Sequence, residues 1–135
     1  MTRMATNDDS KPVFSRCSPA VRTAIAEYIR RVAEEFGDEV VSITLYGSQA
    51  RGDAEPESDI DLFIVVRQDS ATLERELSDM AWDVECEHGV VFSDLIFSLD
   101  RLNRMRSNHF PYYQSVEREG IVLWTSMSET MPASA

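Results

Sequence analysis

Gly47 and Ser48 follow directly on the β-branched run Val40–Tyr46, and ten residues further on stand Asp59 and Asp61. A residue without a Cβ lets the backbone turn sharply and approach a ligand closely. Amides at the start of a short helix after that turn point toward an anion, and the Ser48 hydroxyl adds a donor. Asp59 and Asp61 are two apart on a strand, so their side chains project from one face. Carboxylates that close repel each other unless a cation lies between them. Mg²⁺ suits such a pair, because it takes one or two protein carboxylates and completes its shell with water and phosphate. The chemistry this order could perform is the handling of a metal-bound polyphosphate. Taken alone, Gly-Ser reads as an ordinary strand-to-helix turn capped by serine, and two acids at a strand mouth read as solvated.

A third acid, Asp94, lies in the apolar run Val90–Phe97. An unpaired ionised carboxylate there is costly, so it needs a hydrogen bond, a shifted pKa or a metal. If this strand lies beside the second one, Asp94 completes a three-carboxylate cluster with Asp59 and Asp61; otherwise it faces solvent at an edge. Glu87 and Asp100 are weaker substitutes at element ends. Arg51 could reach a phosphate with its guanidinium fork, or anchor the loop through Asp53 or Glu57. His88 and His109 have no partner at ligand spacing and read as structural or exposed. Phe110, Tyr112 and Tyr113 read as a helix packing face, and Trp82 and Trp124 as core or interface.

These residues need elements to position them. Ser18 and Pro19 open a helix as N-cap and first residue. Val21, Ile25, Tyr28, Ile29, Val32 and Phe36 continue it at helical spacing, and Gly37 ends it. Val40–Tyr46 is the first strand, 47–52 a turn into at most a short helix, and 53–57 an acidic loop. Asp59–Val66 is the second strand. It is apolar on both faces beyond its acids, which predicts a central, covered position. Ala71 to about Glu87 is an amphipathic helix. Val90–Phe97 is the third strand, two short helices follow near 99–106 and 111–119, and a last apolar segment covers 121–124. The order predicts an α+β fold, a small mixed sheet packed against helices. The first two strands would pair antiparallel, and the helix at 71–87 would cross over to the third. Residues 1–16 and 126–135 read as disordered tails around one domain at 17–125.

The chain has 135 residues, enough for one domain with a hydrophobic core. Thirteen basic against 24 acidic residues leave a net charge of −11, with Lys11 the only lysine. That balance disfavours a nucleic-acid surface, which needs clustered Lys and Arg, and suits a basic protein partner. No apolar run approaches the roughly 20 residues of a bilayer span. Two cysteines without metal spacing or an export signal predict reduced thiols in the cytoplasm.

The strings Gly47-Ser48-Gln49-Ala50-Arg51-Gly52 and Ser58-Asp59-Ile60-Asp61-Leu62 resemble the nucleotidyltransferase superfamily with the DNA polymerase beta-like fold, in particular its minimal prokaryotic members. The resemblance covers about Val40 to Asp94. It implies that Gly47 and Ser48, with Arg51, bind the nucleotide. It implies that Asp59, Asp61 and Asp94 are the catalytic metal ligands for two Mg²⁺ ions, with ATP as substrate and AMP as the transferred group. About thirty ordered residues after the third strand are too few for an acceptor-binding second domain. The minimal members are commonly paired with a helical HEPN-type protein in toxin–antitoxin systems, where the nucleotidyltransferase neutralises the toxin by AMPylation. Two alternatives remain: a small-molecule nucleotidyltransferase, working as a homo-oligomer, and a catalytically silent module that neutralises its partner by contact.

Overall fold

In the computed structural model, which describes residues 17–126, helix α1 (Pro19–Phe36) leads into β1 (Val40–Tyr46), the short α2 (Gly47–Arg51) and β2 (Ile60–Val66). Helix α3 (Ala71–His88), β3 (Phe92–Ser98), α4 (Leu99–Ser107), α5 (Pro111–Glu119) and β4 (Ile121–Thr125) follow. Local chemistry sets the helix starts. Serine side chains accept the N–H groups of Val21, Leu73 and Arg101 at the heads of α1, α3 and α4, at 3.2, 3.1 and 3.2 Å. Each satisfies an amide that the helix itself leaves without a partner.

The strands form one sheet in the order β3-β2-β1-β4. β1 pairs antiparallel with both β2 and β4, whereas β2 and β3 run parallel, joined by α3. The architecture is the expected α+β mixed sheet, with the antiparallel pair and the helical crossover where the element order put them. β2 is central and covered on both faces. On one face Ile43, Leu45, Ile60, Leu62 and Ile64 pack against Ile25, Tyr28, Ile29, Leu77 and Val84 of α1 and α3. On the other, Phe63 and Val65 meet Leu102, Met105, Tyr113 and Val116 of α4 and α5. Each large aliphatic side chain so enclosed contributes about 1.5–3 kcal/mol of transfer free energy.

Several boundaries differ from the sequence reading. Asp59 stands one residue outside β2, and β3 begins at Phe92 rather than Val90. Ser126, expected at the head of a disordered tail, is buried and donates its N–H to the Val41 carbonyl at 2.9 Å. The tails expected at 1–16 and 127–135 lie outside the described residues. Trp124 and Tyr113 are core, but Trp82 is 63% exposed on α3. Among the described residues no helix is long and apolar enough to cross a membrane.

Candidate active site

Tyr46 ends β1 opposite Asp61 in the antiparallel register. The next residue, Gly47, takes φ +76° and starts α2. A Cβ at Gly47 would overlap the Asp61 carboxylate oxygen Oδ2, so glycine is required both by the turn and by the acid beside it. No side chain caps the head of α2. The loop after it is closed by backbone bonds from the Gly52 and Asp53 N–H groups to the Ser48 carbonyl, at 2.9 and 3.1 Å. Gln49 and Ala50 are buried, and the Cys17 thiol donates to the Gln49 carbonyl at 3.7 Å. The turn is thus anchored from below, while Gly47 and Ser48 stay partly open.

Asp59 is exposed at the mouth of β2 and Asp61 half-buried on its first pleat. Burial pushes the Asp61 carboxyl upward, and the negative charge of Asp59 adds to that push. The Arg51 guanidinium and a hydrogen bond from the Ser93 hydroxyl act in the opposite direction. Arg51 itself reaches Asp53 and, on α5, Glu119, both at 3.2 Å. The loop-anchoring alternative for Arg51 is therefore formed, with Glu119 in place of Glu57.

Asp94 does not join this pair. In the parallel register Asp61 faces Ser93, and Asp94 faces Leu62, which places Asp94 on the opposite side of the sheet. There it accepts a 2.7 Å hydrogen bond from the Tyr28 hydroxyl on α1. Its other oxygen, Oδ1, is shielded from solvent and has no partner among the described residues. Burial raises this carboxyl to about 6; the Tyr28 hydrogen bond lowers it, and the charge of Glu85 adds to the rise. The hydrogen bond from Tyr28 meets part of the cost of burying this carboxyl on the far side of the sheet.

The substitutes do not fill the gap either. Asp100 is exposed on α4 beside Arg104 at 3.5 Å, and Glu87 lies at the end of α3 beside His88 at 3.9 Å. Among the described residues no three Asp, Glu, His or Cys side chains converge to hold a metal ion. Asp59 and Asp61 supply hard oxygen donors in like-charge proximity, which fits one divalent cation; the expected three-acid set for two ions does not fit.

Ser93 escaped the sequence reading. The parity of β3 was hidden because Phe92 and Ile96 are apolar on one face, and Leu95 and Phe97 on the other. The bond from the Ile60 N–H to the Val91 carbonyl, 2.8 Å, helps set the register that decides it. One pleat beyond Asp61 on the same face, a cavity of about 370 Å³ opens between the sheet and α4–α5. Thr44, Phe63, Val65, Arg106, Tyr113 and Val122 line it.

Residues 25–111 match the family described as nucleotidyltransferase domain. A Methanocaldococcus jannaschii protein assigned as a protein adenylyltransferase is 30% identical over 101 residues, covering 75% of this chain and 95% of the relative. A second protein of that organism with the same assignment is 42% identical over 41 residues, 30% of this chain and 28% of its own. Among solved structures, a chain in a crystal structure of a toxin–antitoxin with AMP-PNP aligns with a TM-score of 0.50 at 19% identity, over 75% of this chain and 73% of that one. That likeness concerns the fold.

Proposed function

The chain belongs to the nucleotidyltransferase domain family, and from that premise we propose that it transfers AMP from ATP to a hydroxyl on a helical, HEPN-type toxin partner in the cytoplasm, acting as its antitoxin. The observation that carries the reading is the contact of Gly47 with Asp61, which puts the turn able to hold phosphate against the acid pair. Gly47 and Ser48 hold the outer phosphates through backbone amides and the serine hydroxyl, and Arg51 adds a positive charge at the same end. Asp59 and Asp61 would hold Mg²⁺, which when bound neutralises charge on the triphosphate. Positioning and electrostatics supply most of the acceleration at phosphorus. The protein acceptor is supported by the assigned activity of the archaeal relative and by the toxin–antitoxin setting of the structural neighbour.

The cavity beside Phe63 and Tyr113 favours a second reading, a small-molecule acceptor. A silent binding module needs no clustered acids, and it gains ground because only Asp59 and Asp61, and not Asp94, lie together. Label transfer from α-labelled ATP with Mg²⁺, with and without a candidate helical, HEPN-type partner protein, separates the three. Label on that protein, lost in Asp59→Asn/Asp61→Asn, supports the proposal. Tight binding of the partner without label leaves the silent module, and neither label nor binding leaves the small-molecule acceptor.

A further inference from the structure

Ser93 is the position on β3 that stands level with Asp61, on the sheet face that α4 and α5 cover further along. A carboxylate there would lie beside Asp61 and would complete a three-acid cluster with Asp59. Among the described residues, the neighbours of Asp61 supply no substitute. Its partner on β1 is Tyr46, and the charges that act on it are those of Asp59 and Arg51. The flanking positions of the same parity, Val91 just before β3 and Leu95 on it, are both apolar. The nearest acid in sequence, Asp94, is turned to the far side and engaged by Tyr28.

We propose that this chain holds a single divalent cation with its nucleotide, and that the serine at position 93 is what limits it to one. The inference rests on the assignment of Asp59 and Asp61 as the metal pair. A neutral hydroxyl can donate to Asp61 and steady it, but it adds no negative charge to hold a second ion. Two-ion centres use the second ion to lower the pKa of the attacking hydroxyl. Without it, the proton of an acceptor hydroxyl must leave to a group on the acceptor itself or to water, as the oxygen bonds to the α-phosphorus and pyrophosphate departs. The chain then binds nucleotide well and transfers it slowly until an acceptor that carries its own base is docked. That makes the acceptor, rather than β3, the determinant of rate.

The test counts ions. Bound Mn²⁺ is measured from the loss of the free-ion electron paramagnetic resonance signal, on the full chain saturated with the α,β-methylene analogue of ATP. Wild type and Ser93→Asn should each hold one ion per chain and Ser93→Asp two; with ATP in place of the analogue, AMP transfer to water or to a test hydroxyl, with release of pyrophosphate, should rise about tenfold in Ser93→Asp. Two ions on the wild-type chain overturn the proposal even if Ser93→Asp does not fold. A folded Ser93→Asp that still holds one ion overturns the role given to position 93. An Asp59→Asn/Asp61→Asn chain that keeps the wild-type count strikes the metal pair itself, and with it both this inference and the functional reading above.

Discussion

Gly47 presents its bare Cα to the carboxylate of Asp61, and this contact joins the turn after β1 to the acids of β2. The join follows from the antiparallel register, in which Tyr46 and Asp61 are partners. Gly47→Ala tests it. The new methyl meets Asp61 Oδ2 while the backbone stays at φ +76°, a conformation that costs a non-glycine residue about 1–3 kcal/mol. The thermal midpoint should fall accordingly, and titration with a fluorescent ATP analogue should show nucleotide binding lost in protein that is still folded.

Asp61→Asn separates stability from function. Burial and the charge of Asp59 both raise this carboxyl, so the folded chain holds the proton more tightly than the unfolded one. In the metal-free protein its charge therefore opposes folding, and stability falls as pH rises through the carboxylate range. Asp61→Asn should melt no lower than wild type near neutral pH without metal. Its transfer activity should drop by roughly 100-fold or more. A large loss of stability together with activity would instead make Asp61 structural.

The Tyr28–Asp94 pair predicts a pH signature that arises on the opposite face of the sheet from Asp61. The folded carboxyl keeps its proton to about pH 6, whereas an unfolded one loses it near pH ~4. Between these values the folded state binds more protons, so stability declines as pH rises and levels off above the window, by about 3 kcal/mol in all. Denaturant unfolding of Asp94→Asn should lack that decline, and the variant should still bind nucleotide. Tyr28→Phe removes the bond that lowers this carboxyl, so the decline should extend to higher pH.

Arg51 is exposed and paired with Asp53 and Glu119. Exposed pairs of this kind are screened by solvent and contribute little to stability. Arg51→Ala should thus leave the melting temperature nearly unchanged, while nucleotide affinity falls about tenfold, with a shallower salt dependence, from loss of a phosphate contact. Equal affinity in variant and wild type would confine Arg51 to anchoring the loop.

Local signals carried most of the fold. The cap at Ser18, the helical spacing of α1, the turn at 47–52 and the β-branched run of β1 each act within a few residues, so their effects are legible in order along the chain. The spacing of Gly47-Ser48 and Asp59-x-Asp61 was legible for the same reason, because a strand repeats every two residues and the short loop between them returns the chain to β1. The third position of the site was not. β3 is apolar on both faces, so its sequence carries no alternation to say which way Asp94 or Ser93 points. Only the parallel pairing with β2 decides that, through a register that puts Ser93 beside Asp61 and Asp94 beside Leu62. A shift of one residue along that strand would exchange the two faces, and long-range pairing, not local sequence, fixes the register.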